Sequence, residues 1–153
     1  MREILFRGKD KYKGSWVKGF YYIKRSRYAG DKTFISEKHI ITTGIEETSG
    51  AYGENTEYIE CNVIPETVGQ YTGLTDKNGK KIFEGDIFKG KVIEGKLVNY
   101  VFWYDEEERG FVYGSSYKKG YRMSIASYAL SVKEFEVIGN IHDNPELLKG
   151  GEG

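Results

Sequence analysis

The chain has 153 residues, 39% hydrophobic and 30% charged, which is enough apolar content for a folded core and too much for a disordered chain. Its 23 Lys and Arg balance its 23 Asp and Glu, so a net charge of zero argues against broad, non-specific nucleic-acid binding and leaves only a local basic patch open. One cysteine, Cys61, excludes an intrachain disulfide framework and speaks against a structural zinc cluster, and no run of about 18 apolar residues is present to span a membrane.

The first stretch, REILFRG, alternates Ile4 and Phe6 against Leu5 and Arg7, the period of a strand. It carries no apolar core of the secretory type, so the expected setting is the reducing cytoplasm. A polar turn with Gly14 leads into SWVKGFYYIK, whose Trp16, Val17, Phe20, Tyr21, Tyr22 and Ile23 predict a second strand. KRSRYAGDKT reads as a loop, followed by short strands around Ile35 and Ile40-Ile41. Residues 44–57 are polar, glycine-rich and acidic, and read as a mobile loop or long hairpin tip. Strand character returns in EYIECNVI and stops at Pro65, which lacks a ladder donor.

Asn78-Gly79 separates two short apolar segments and predicts a two-residue type I′ hairpin. Glu84-Gly85-Asp86 forms a second corner. Two strands then follow around Glu94-Gly95, and the second, with Val98, Tyr100, Phe102 and Tyr104 on one side and Val101 and Trp103 on the other, is apolar on both faces, as a central strand is. DEEERG is a charged turn, GFVYGSSY a short strand, SIASYALSV a helical turn or two, and KEFEVIGNI a late strand. Asn144 as N-cap and Pro145 at the first position predict a short C-terminal helix, with residues 150–153 as a tail. The expected fold is mainly β: a short-stranded sandwich over residues 1–64 and a small SH3-like barrel over residues 65–149.

Candidate chemistry is sparse. Glu84 and Asp86 could be an acid/base or metal pair, but Gly85 between them favours a tight turn in which Asp86 accepts backbone N–H groups. Asp76 and Asn78 are spaced wrongly for a calcium loop and are crowded by Lys77, Lys80 and Lys81. His39 and His142 are the two histidines and lie in no zinc-binding pattern; His142 sits beside Asp143. Cys61, between Ile59 and Val63, reads as a structural thiol sooner than a nucleophile. No cofactor motif is present. Two clusters mix cations with tyrosine: Lys24, Arg25, Arg27 and Tyr28, and Lys118, Lys119, Tyr121 and Arg122. Either could follow a nucleic-acid strand, although solvated loops are the plainer reading.

Three stretches, ILFRGKDKYKGSWVKGF, VIPETVGQYTGLTDKNGKKIFEGDI and FEVIGNIHDNPELL, resemble the YopX family of bacteriophage and prophage proteins and span nearly the whole chain. The central one is the most specific, with Gly69-Gln70-Tyr71-Thr72-Gly73-Leu74, Asp76, Asn78-Gly79-Lys80, Ile82 and Glu84-Gly85-Asp86. The resemblance implies a mostly β fold and a phage or prophage origin, and brings no agreed catalytic residue or cofactor. The expected function is that of a non-enzymatic phage accessory protein acting by protein–protein binding or self-assembly as a homo-oligomer, with a phage or host protein as partner. Nucleic-acid binding in replication or regulation is the alternative, and hydrolysis ranks last.

Overall fold

Aspartate-led turns shape the chain. Asp10 accepts the N–H groups of Tyr12 and Lys13 at 2.8 Å each, and the turn ends at Gly14 with φ 68°. Asp76 accepts those of Asn78 and Lys80 at 2.9 Å each and ends at Gly79 with φ 79°. Asp105 accepts those of Glu107 and Glu108 at 3.0 Å each and ends at Arg109 with φ 50°. In each, a carboxylate satisfies the N–H groups that a tight reversal leaves unpaired. The Asn78-Gly79 hairpin is therefore not the predicted type I′ turn. Among the described residues Arg109 is the one non-glycine residue with positive φ, so Asn78 does not have it. Instead Gly79 N–H donates to Asp76 C=O at 2.9 Å, giving a three-residue loop with only the glycine left-handed. The Asp76 side chain selects this form by holding the N–H groups on both sides of Gly79.

The computed structural model describes residues 3–27, 35–50, 53–93, 96–115, 122–124 and 136–151. The fold is mainly β, in antiparallel sheets, and divides into two compact units. One comprises Ile4–Gln70. It contains β1 (Phe6–Lys9), β2 (Trp16–Arg27), β3 (Ile35–Gly50), β4 (Gly53–Asn62), a 3-10 turn at Pro65–Thr67 and the start of β5 (Gly69–Thr75). The strand order is β4-β3-β2-β1-β5. The predicted loop at Lys24–Arg27 is the end of β2, paired with β3 from Phe20↔Thr42 to Arg27↔Ile35. Residues 44–57, read as a mobile loop or a long hairpin tip, lie in the long hairpin of β3 and β4. Their pairing runs from Ile45↔Tyr58 to Gly50↔Gly53, past a bulge at Gly44 with φ 57°. Polar composition suggested a loop, but Ile45, Thr48, Thr56 and Tyr58 are good strand formers once a partner strand is present. Ile41 is fully buried in this unit and Val63 nearly so.

The other unit comprises Met1–Glu3 and Tyr71–Gly153. It contains the rest of β5, β6 (Lys81–Phe83), β7 (Asp86–Ile93), β8 (Lys96–Asp105), β9 (Gly110–Gly114), β10 (Arg122–Ser124) and β11 (Val137–Asn140). Five of these strands form a sheet in the order β10-β9-β8-β7-β11. Strand β8 is central and buried on both faces, as its sequence predicts. Phe102 stacks on Phe88 at 4.6 Å, in a cluster with Ile82, Tyr113 and Val137. Val101 and Trp103 face the other way, against Val112, Ile141 and Leu148.

Two expectations for this unit need correcting. Among the described residues the sheet remains open, with β10 and β11 as its edges, and closes no barrel. The C-terminal helix is a 3-10 segment, Pro145–Gly151, in which Leu147 N–H donates to Asn144 C=O at 3.1 Å. Gly150 and Gly151 end it, glycine being costly in a helix interior. The turn expected at Glu94-Gly95 and nearly all of SIASYALSV lie outside the described residues.

Candidate functional site

Alternation along β2, β3 and β4 sorts their polar residues onto two faces. The register pairs Lys24 with Lys38, Ser26 with Ser36, Ile40 with Asn62 and Thr42 with Glu60. These residues share one face. There the chain forms a depression of ≈ 470 Å³ lined by Lys24, Arg27, Lys38, Glu60 and Tyr12, with the buried Ile40 among the lining side chains. Lys24 Nζ meets Glu60 Oε2 at 3.2 Å, and the Tyr22 hydroxyl donates to the other Glu60 oxygen. The Tyr22 hydrogen bond first, and then Lys24, hold the Glu60 carboxyl below the ordinary carboxylate range. The same bond raises the Tyr22 phenol. Arg27 and Lys38 line the same mouth, and the charge of Lys38 also acts to lower the Glu60 carboxyl.

Farther along the same face stand exposed aromatic rings. Phe20 is 70% exposed and Tyr58 65%, with Tyr22 between them and the depression. Phe20 is opposite Thr42, which is opposite Glu60, and Tyr58 is the next residue of β4 on that face. An apolar group left this open on a sheet surface marks a contact surface sooner than a core.

Arg25 lies on the opposite face. Its Nε contacts Glu37 Oε2 at 2.9 Å, Glu37 Oε1 lies 3.3 Å from His39 Nε2, and His39 Nδ1 meets the Tyr21 hydroxyl at 2.5 Å. Burial, then the Glu37 charge, raise the Tyr21 phenol, while Arg25 lowers the Glu37 carboxyl. The first cationic cluster is thus split: Lys24 and Arg27 line the depression and Arg25 is tied into a chain on the other side. Tyr28, Lys118, Lys119 and Tyr121 lie outside the described residues, and Arg122 opens β10.

The corner residues are engaged with backbone. Asp86, 1% exposed, accepts from Phe83 N–H at 2.8 Å, and Glu84 accepts from Tyr104 N–H at 3.0 Å. Gly85, with φ 77°, donates to Phe102 C=O and accepts from Ile141 N–H, each at 2.8 Å. A β-carbon there would stand 3.9 Å from His142 Nε2, so His142 borders this corner. Asp76 accepts a third N–H, from Val137 at 3.1 Å. Among the described residues no group of three or more His, Cys, Asp and Glu side chains is placed to hold a metal ion. Cys61 is half-buried in β4 beside Asp10.

Lys38, Glu60, Phe20, Tyr22 and Tyr58 were not picked out from the sequence as site residues. A signal for them does exist. Residues 1–38 hold eleven Lys and Arg against four acids, and residues 39–76 hold seven acids and no Lys or Arg. That segregation is invisible in a net charge of zero.

A family model described as YopX protein matches residues 5–149. No curated protein matches the chain. Among solved structures it is similar to the crystal structure of protein EF1440 from Enterococcus faecalis, at 25% identity over 97% of this chain and 99% of that chain, with a TM-score of 0.56.

Proposed function

Because the chain belongs to the YopX family, we propose that it is a non-enzymatic phage or prophage accessory protein that acts by binding, with self-assembly as its mode. The observation that carries this reading is the face shared by β2, β3 and β4: an open, charged depression continuous with exposed Phe20, Tyr22 and Tyr58. Aromatic rings beside cations are the usual anchors of protein contacts. The acids elsewhere support a binding rather than a catalytic role, since Asp76, Glu84 and Asp86 already accept backbone N–H groups. The phage origin and a cytoplasmic setting belong to the same proposal and rest on the family. Among the described residues no helix is long and apolar enough to cross a membrane.

A second reading, single-stranded nucleic-acid binding, draws on Lys24, Arg27, Lys38 and Tyr12 around the depression. Static light scattering separates the two. At low salt the chain is expected to show a molar mass that rises with concentration to a multiple of its 17.5 kDa. A constant monomer mass, converted to a complex by an added oligonucleotide, would replace the first reading with the second.

A further inference from the structure

We propose that β3 takes up an extended acidic peptide as an added strand, along the stretch of its edge that β4 leaves open. The inference rests on the binding reading above and adds a partner site to it, apart from the rings of Phe20 and Tyr58. Among the described residues β4 pairs with β3 only from Ile40↔Asn62 onward. One further bond, from Val63 N–H to His39 C=O at 2.8 Å, ends the ladder. That bond shows which way the main chain points. In an antiparallel strand the N–H and C=O of one residue point to the same side, and alternate residues share that side. Glu37 therefore aims both groups toward the track of β4, as His39 does, while Lys38 faces β2. Continuing the register would set Pro65 opposite Glu37, and proline has no N–H to give. Instead Ile64 N–H turns to Lys9 C=O at 2.9 Å, and Pro65–Thr67 forms its 3-10 turn. Among the described residues no strand lies beside residues 35–38 on this side. Such an open edge is a template for another strand.

The space beside this edge is hollow. A second depression, of ≈ 440 Å³, is lined by Glu37, Lys38, His39, Ile64, Pro65 and Glu66. Ser36, Lys38, Tyr12 and Asn62 line both it and the depression described above, so the two hollows meet along the edge. Charge selects the peptide. A strand in the place of β4 puts one residue opposite Glu37 and its neighbours opposite Lys38 and Ser36. Those neighbours point to the face of Lys24 and Lys38. The charged side chains lining that hollow are Lys24, Arg27 and Lys38 against the single acid Glu60, which favours carboxylates. The residue opposite Glu37 points to the other face. An acid there would oppose the Glu37 carboxylate directly, whereas Ile35, 48% exposed on the same face, offers an apolar contact. The pattern recognised is therefore acid, apolar, acid. A second copy of β3 is a poor occupant. Paired antiparallel about Glu37, it would set that carboxylate against its own copy, and like charges directly opposite are destabilising.

The test is fluorescence anisotropy of the full chain with a labelled synthetic peptide that alternates glutamate with valine. Wild type is expected to bind it, and Glu37→Pro to weaken the binding about tenfold or more. Proline there removes an outward N–H and obstructs the edge, yet costs β3 none of its bonds to β2. Glu37→Ala keeps the main chain and should bind as wild type does. Lys24→Glu, Arg27→Glu and Lys38→Glu together should also weaken binding about tenfold or more. A second arm needs no variant and so no refolding. Peptide N-methylated on its valines loses the bonds to Glu37 and should not bind. Peptide N-methylated on its glutamates, whose nitrogens point away from β3, should bind. Equal binding by Glu37→Pro and wild type, or by the valine-methylated and unmodified peptides, overturns strand addition. No binding by wild type overturns it as well, and light scattering of the same sample then shows whether self-assembly stands. If that self-association is lost in Glu37→Pro, the edge belongs to a second copy. If wild type ignores the peptide, stays monomeric and binds an oligonucleotide, the inference and the self-assembly reading both fall.

Discussion

Replacing Gly19 with alanine is expected to destabilise the unit comprising Ile4–Gln70 by about 3 kcal/mol or more. Strand β2 changes partners at this residue: Trp16 to Gly19 pair with β1, and Phe20 to Arg27 with β3. At the exchange a β-carbon on Gly19 would stand 1.8 Å from Thr42 O and 2.8 Å from Thr42 C. Both are backbone atoms of β3, so no rotamer relieves the overlap. The strands must separate, and Phe20↔Thr42 at the centre of the exposed face is the first pair lost. Trp16 lies in this unit and reports its unfolding by fluorescence. A denaturation midpoint unchanged from wild type would refute the close approach.

The Asp76→Ala substitution is expected to cost a similar amount, about 3 kcal/mol. The carboxylate is nearly buried and accepts three backbone N–H groups, two within its own turn and one from Val137 on β11. Alanine leaves all three without that acceptor. Asp76→Asn should cost less, because one side-chain oxygen can still serve the turn while the bond to Val137 is lost. The acid dependence follows from the same bonds. Burial by itself would raise this carboxyl, but the N–H groups of Val137, Lys80 and Asn78 outweigh it and hold the group below its ordinary value. In the unfolded chain it titrates near the reference value of about 3.9. Its contribution to stability is therefore complete above that pH and is lost as the pH falls toward the lower folded value. Denaturant titrations from neutral pH downward should show a steeper acid loss for wild type than for Asp76→Asn. Equal slopes would mean that the carboxylate is not the acceptor described.

Much of this was legible because it is local. The stretches DKYKG, DKNG and DEEERG each announce a reversal, since an aspartate can hold the N–H groups two to four residues ahead. The doubly apolar run around Tyr100 to Trp103 announced the central strand. The type of the Asn78-Gly79 turn was misread because a two-residue rule ignores the acid placed two residues earlier. Residues 44–57 were half legible: the long-hairpin reading agrees with the pairing of β3 and β4, while the loop reading stood beside it because acidic, glycine-rich segments look like loops until a partner strand supplies their hydrogen bonds. Gly19 gave no signal, as the crowding comes from a residue 23 positions away. The face itself was half legible. Lys24 and Arg27 stood out as a cationic run, but joining them to Lys38, Glu60 and Tyr58 needs the register of three strands, and so does the separation of Arg25 from them.

The most direct trial of the exposed face is a sedimentation-equilibrium comparison of wild type with the double variant Phe20→Glu, Tyr58→Glu. Both rings are largely solvent-exposed, so the variant should melt as wild type does. The account predicts a concentration-dependent mass for wild type and a monomer for the variant at the same concentrations. Equal association of the two proteins would contradict it.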